Sequence, residues 1–403
     1  MRPRAIYVVP ALGEPPTSGS EIRAAAIVRA LARPFDLTVL SLDRDGSFDA
    51  WASARGRVLT RRHSLPLKAA DLLFGTALGR DTWLQRLIQA RASDAFASIV
   101  GDVRPSLVVL GRPFFGPFVD ATRSAGSHVV VDADESLRHV YQRIALGHGP
   151  VRSRARAAVG MLAIGRLERR TFRDADLVWV SSEIERRRLA GGPDSSRVYV
   201  IPNVAPAAEL DALDHPVRSV AYVGAYDYPP NEAAALELLR SVVPAIRRTG
   251  GPHRVVLIGR DPTHRMAALG RRLGDVEITG RVDAVQPHLA AAGLLVLPIR
   301  AGGGTRVKIL EAAAAGVPII TTHLGMEGLG LEDGKHVLVA ETPTQFAAAA
   351  LRVQRDGELR RRLTSAARDY VRLRHSQATV DSAIDDALAA VPALTVPPFA
   401  KLA

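Results

Sequence analysis

Short apolar runs alternate with stretches of helical spacing along most of the chain. Runs rich in valine, isoleucine and leucine at 5–10, 35–40, 106–110, 127–131, 176–182 and 197–203 predict buried parallel strands, since a strand covered on both faces is continuously apolar. Between the first two, Ile22, Ala26, Ile27 and Ala30 recur at helical spacing within 21–32, after a loop at 11–20 rich in glycine, proline, serine and threonine. Strand, loop, helix, strand is a βαβ unit, whose loop opens at the carboxyl edge of the sheet, where open α/β folds bind ligands. The pattern blurs from 43 to 102, apart from an expected helix at 82–88. It then restarts beyond 216, with strands expected at 219–224, 254–260, 276–282, 293–299 and 317–322 and helices at 232–247 and 307–315. Three further helices are expected at 344–356, 357–374 and 377–390.

Two such series predict an α/β protein of two Rossmann-like domains: 1–204, a proline-flanked linker at 205–216, 217–375, and a terminal helix and tail at 376–403. The length of 403 residues agrees, because it exceeds what one hydrophobic core usually serves. No apolar run exceeds about eight residues, short of a membrane span. The start leads directly into a strand without a signal-peptide core, and there is no cysteine for disulfides, thiolate catalysis or zinc. A cytoplasmic enzyme is expected.

The formal net charge of +12 would attract anionic small molecules, polyanions or acidic membrane surfaces, so the position of the charge matters. Within the basic helical stretch 152–173, Arg166, Arg169, Arg170 and Arg173 repeat along one side. That side is a solvated face, a guide for an anionic acceptor, or a peripheral contact with anionic lipid. No nucleic-acid partner is expected.

The densest chemistry follows the strand at 293–299, where the chain reads RAGGGTRVKILEAAAAG from Arg300 to Gly316. Gly302, Gly303 and Gly304 let a ligand approach the backbone, and the free N–H groups opening the next helix favour an anion. Thr305, Arg306 and Lys308 add a hydroxyl and two positive charges, and Glu311 adds an acceptor suited to a diol. In the first half, Asp132 and Asp134 stand where the strand at 127–131 ends, placed to accept from sugar hydroxyls, act as a base or cap a helix. Phe114, Phe115 and Phe118 form either an acceptor pocket or a buried corner.

From Gly293 through Gly316 and on to the His323-Leu324-Gly325-Met326-Glu327-Gly328-Leu329 segment, the sequence closely resembles the donor site of family-4 glycosyltransferases. These are retaining, nucleotide-sugar-dependent enzymes of the GT-B fold. The resemblance implies two Rossmann-like domains facing across a central cleft, with a C-terminal helix crossing back to the first. It implies a UDP-, GDP- or TDP-sugar donor, a small-molecule, glycan or lipid-linked acceptor hydroxyl, and no metal or further cofactor. By position it places Gly19 and Ser20 in the first-domain loop that faces the diphosphate. Gly224, Gly259, Arg281 and Val282 fall at strand ends that approach the nucleotide, and Asp132 or Asp134 falls on the catalytic first-domain loop, where many relatives carry histidine.

The sequence departs from the family pattern at three places. Gly303 stands where many members have the first of two spaced glutamates, Glu311 being the second, while Ala225 and Asn231 stand where an arginine and a lysine usually clamp the diphosphate. Arg306 and Lys308 are the expected replacements, stabilising the leaving group together with the loop amides. Asp-x-Asp pairs occur at Asp43-Arg44-Asp45, Asp132-Ala133-Asp134 and Asp174-Ala175-Asp176, all outside the glycine loops. A nucleotide-sugar epimerase or hydrolase on the same fold, or a non-catalytic nucleotide-binding subunit, would share these features.

Overall fold

The structure, a computed structural model, describes residues 2–10, 12, 16, 18–41, 55–58, 93–147, 151–189, 195–206 and 217–391. The helix expected at 82–88, the Asp43-Arg44-Asp45 pair, most of the linker and the tail from 392 lie outside the described residues.

The first unit is built on seven parallel strands: β1 (Arg4–Val9), β2 (Asp36–Ser41), β3 (Arg55–Val58), β4 (Leu107–Leu110), β5 (His128–Asp134), β6 (Leu177–Val180) and β7 (Val198–Val200). Their spatial order is β3-β2-β1-β4-β5-β6-β7, so strand order reverses direction beside β1 and β4. Ile6, Val8, Val108, Leu110, Val129 and Val131 are fully buried, as continuous apolar strands require. Helix α1 (Gly19–Leu31) follows the first loop and buries Ile22, Ala26, Ile27 and Ala30.

β5 corrects one expectation, because it runs on past Val131 through Asp132 and Asp134. The register shifts there, with Asp132 opposite Trp179 and Asp134 opposite Val180. The carboxylate is tolerated inside the sheet because the Arg23 guanidinium of α1 pairs with Asp132 at 2.6 Å. The three phenylalanines also resolve: Phe115 and Phe118 are fully buried on the 3₁₀ turn Pro113–Phe118, and Phe118 stacks on Phe96 with centroids 4.3 Å apart. Phe115 and Phe118 form a buried corner, and the part-buried Phe114 packs against Phe115 with ring centroids 4.8 Å apart.

The second unit has six parallel strands: β8 (Ser219–Val223), β9 (Arg254–Ile258), β10 (Val276–Gly280), β11 (Leu295–Leu297), β12 (Ile319–Thr321) and β13 (Leu338–Val339). Their order is β10-β9-β8-β11-β12-β13, a doubly wound sheet whose switch point lies between β8 and β11. The helix expected at 232–247 starts earlier, at Pro229, and contains a π turn at Leu238–Val242 before it ends at Arg248. Pro244 explains the turn: it has no N–H to donate and its ring crowds the preceding turn, which the wider coil relieves.

The boundary between the units follows Pro202, two residues before the expected position. Asn203 groups with the second unit because its carbonyl accepts from His375 Nδ1 at 2.7 Å, while Ala205 N donates to the His375 carbonyl at 2.8 Å. The final helix, Gln377–Ala389, belongs to the first unit. It buries Val380, Ile384, Ala387 and Leu388, and its Asp381 and Asp385 each pair with Arg33 at 2.9 Å.

Candidate functional site

In the second unit, the carboxyl ends of β8 and β11 flank the switch point, where neighbouring loops run to opposite faces of the sheet and leave a crevice. Gly224 ends β8, and Gly302, Gly303 and Gly304 follow β11. Gly302 and Gly304 adopt φ of 104° and 65°, conformations open to glycine at little steric cost. Gly259 at the end of β9 is more constrained still, with φ of 138° and a virtual Cβ only 1.9 Å from the Gly224 carbonyl oxygen. These strand ends meet only because no side chain separates them. Arg281 and Val282 follow β10 at the sheet edge, two strands from β8, with Arg281 exposed.

Helix α2 (Val307–Ala314) begins directly after the glycine turn. Its N-cap is Arg306, whose side chain makes no capping bond to the helix. Uncapped N–H groups and the positive end of the helix dipole therefore adjoin the glycines. Arg306 is buried, and its guanidinium donates to the Gly303 and Gly304 carbonyls, bracing the turn from which it emerges. The Thr305 hydroxyl accepts from the Asn203 amide.

Lys308 lies one step further along. Its ammonium donates to Asn231 Oδ1 at 2.8 Å and stands 4.9 Å from the centre of the Tyr222 ring. Asn231 is in turn oriented by donating Nδ2 to the Ala225 carbonyl at 2.9 Å, and the Tyr222 hydroxyl donates to the Asn231 carbonyl at 3.1 Å. Burial and the charge of Arg306 lower the Lys308 pKa to about 7, against the raising influence of Glu311. Glu311, 8% exposed, is raised to about 7 by burial, with Lys308 opposing. Among the described residues, none gives the Glu311 carboxylate a hydrogen bond or a close ion pair. A buried acceptor and a desolvated cation thus share one face of α2 beside bare amides. That is an arrangement for an anion next to a hydroxyl-bearing group.

The first-unit candidates have different surroundings. Asp132 is 2% exposed, and both its carboxylate oxygens accept from Arg23, which also donates to the Ile201 carbonyl at 2.8 Å. The Tyr7 hydroxyl reaches the same carboxylate at 3.4 Å. Asp134 has φ of 57°, and its carbonyl accepts from Ser181 N and Oγ. Its carboxylate lies 3.3 Å from Arg112. Guanidinium groups occupy the positions a divalent ion would need, so this Asp-x-Asp pair does not fit a metal. Gly19 and Ser20 open helix α1. Arg23, Arg112, Tyr222 and Asn203 escaped the sequence reading. An arginine amid the small apolar residues of 22–30 is the one signal that pointed to any of them.

Residues 217–356 match the family model described as Glycosyl transferases group 1. The crystal structure of Anabaena Alr3699/HepE in complex with UDP superposes with a TM-score of 0.69, covering 96% of this chain and 100% of that one at 14% identity. The fold is that of GT-B glycosyltransferases. Among curated proteins, the phosphatidyl-myo-inositol mannosyltransferase of Mycobacterium tuberculosis (strain ATCC 25618 / H37Rv) is 26% identical over 185 residues, 43% of this chain and 47% of its own. The sulfur carrier protein FdhD of Anaeromyxobacter sp. (strain K) is 32% identical over 144 residues, 34% of this chain and 50% of its own. The chain thus spans about half the length of these curated relatives. Among the described residues, no helix is long and apolar enough to cross a membrane.

Proposed function

We propose that this chain is a retaining glycosyltransferase that moves a sugar from a UDP-, GDP- or TDP-sugar to an acceptor hydroxyl of a small molecule, glycan or lipid-linked molecule. The observation that carries the reading is the face of α2. Lys308 extends to Asn231, the residue that stands where family-4 members carry a lysine, and the buried Glu311, without a hydrogen-bond partner among the described residues, follows it on the same helix. The diphosphate rests against the glycine-turn amides and the uncapped start of α2, with the Lys308 ammonium supplying charge from the helix side, and Glu311 accepts from a diol of the donor. Arg306 acts mainly by holding the turn in shape. HepE has been crystallised with UDP and with UDP-glucose, which supports a uridine nucleotide among the donors.

Of the first-unit carboxylates, Asp134 is assigned to the sugar or acceptor, because its side chain is 12% exposed and that of Asp132 only 3%. The leaving diphosphate is neutralised by protein groups, so turnover is expected to survive chelation by EDTA. Retention and the absence of a metal rest on the family resemblance.

The test is a thermal-shift screen of nucleoside diphosphates and their sugars, followed by mass-spectrometric detection of transfer. A bound donor at about a hundred times its Kd stabilises by about 2.7 kcal/mol. Lys308→Ala should weaken donor binding about tenfold or more, as for a charge-assisted contact of about 1.5–3 kcal/mol. Undiminished binding in both Lys308→Ala and Glu311→Gln would remove the site from this face of α2.

A further inference from the structure

We infer that a helical hairpin on the first unit is a docking surface for an anionic phospholipid bilayer. Its arms are α-helices over Leu137–Leu146 and Val151–Asp174. They pack closely because the longer arm presents glycines: a Cβ at Gly160 would lie 2.6 Å from the Tyr141 ring, and one at Gly165 would lie 2.9 Å from Arg138 Cδ. Ala157, Gly160, Ile164, Thr171 and Phe172 are turned inward, as is Glu168, which accepts from Leu137 N at 2.6 Å and from the Ser136 hydroxyl at 3.1 Å.

What remains outside is an unusual face. Six large hydrophobic side chains are exposed among the described residues, and four of them are on this hairpin: Leu146, Val151, Val159 and Leu162, at 71%, 77%, 47% and 61%. On the longer helix, Val151 and Leu162 project in nearly the same direction, since eleven residues return close to three whole turns, and Val159 lies roughly 60–80° to one side of them. The stripe continues as Arg166, Arg169 and Arg173, and Arg154 and Arg156 flank its start, all exposed. Among the described residues, Arg166, Arg169 and Arg173 make no hydrogen bond or ion pair. Arg170, beside them, reaches Asp120 and Asp174 only at 3.8 and 3.9 Å.

Isolated apolar side chains in line with arginines suit the boundary between headgroups and acyl chains. Leucine and valine enter the acyl region while guanidinium groups pair with lipid phosphates. A second copy of the chain fits poorly, because the same face would bring arginine stripes against each other. The inference stands apart from the donor site, since it concerns binding to lipid and needs no turnover.

The full-length protein should float with vesicles of phosphatidylcholine mixed with phosphatidylglycerol, and not with phosphatidylcholine alone. Arg166→Ala/Arg169→Ala/Arg173→Ala should weaken partition about a hundredfold and flatten its salt dependence, at about a fivefold loss for each arginine near the surface. Leu162→Glu/Val159→Glu should weaken it by tenfold or more while the protein melts at the wild-type temperature. Equal flotation with neutral vesicles, or unchanged partition in both folded variants, overturns the inference. So does a dimer, seen by light scattering, that these variants dissociate while vesicle binding is absent.

Discussion

At the scale of single residues, Lys308 and Glu311 govern the expected pH behaviour. Burial and Arg306 disfavour the charge of Lys308 and lower its pKa to about 7, whereas the proposed diphosphate contact needs that charge. Donor affinity is therefore expected to fall as pH rises above about 7, with proton uptake on binding in that window. Calorimetry in buffers of different ionisation enthalpy measures the uptake, and Lys308→Ala should abolish it. Glu311 carries a stability consequence of definite sign. Its folded pKa is raised above the unfolded value, so its contribution is fully present below about 4.5 and lost as pH rises through about 7. Glu311→Gln should then stabilise the protein more at pH 8 than at pH 5, by about 1–3 kcal/mol, while weakening donor binding. A variant that melts like wild type at both pH values would show that the carboxylate is already satisfied. Both residues were legible as candidates, because a cation and a carboxylate beside a glycine turn form a local pattern. Their mutual influence and the Asn231 contact were not, since Asn231 and Tyr222 belong to another strand and its following helix.

At the scale of elements, the strand ends are tighter than their sequences suggest. Gly259→Ala should cost several kcal/mol, because a Cβ would collide with the Gly224 carbonyl and the backbone there lies at positive φ. A urea melt followed by far-UV circular dichroism measures it, and a wild-type midpoint would mean that β8 and β9 separate freely at their ends. In the first unit, the two readings of Asp132 predict different results. As the partner of buried Arg23, Asp132→Ala leaves an uncompensated guanidinium and is expected to destabilise by about 3–5 kcal/mol. As a base alone, it would lower turnover and leave the melt unchanged. The strand itself was foreseen from its apolar run, but its extension through the aspartates was not, because an acidic residue is admitted into a sheet only by a cation from elsewhere. Arg23 supplies that charge from a helix 109 positions away.

At the scale of the whole molecule, the chain's last helix stabilises the unit made from its first residues. Truncation before Gln377 removes Val380, Ile384, Ala387 and Leu388 from the first unit's core along with both carboxylates of Arg33. The expected result is selective loss of the first unit, seen as a low-temperature calorimetric transition split from that of the second unit. A single unshifted transition would show that the helix is dispensable.

By itself the sequence determined that this is an α/β chain with two series of parallel strands, and that its glycine-rich turn sits between a strand and a helix. Those features depend on hydrophobic period and on turn chemistry, which act over a few neighbouring residues. Only the tertiary structure decided that Lys308 meets Asn231, that Asp132 is held by Arg23, and that arginines and bare hydrophobics share one outer helix face. The first two depend on strand order, which brings distant residues together. The third depends on which side of a helix its neighbours leave uncovered.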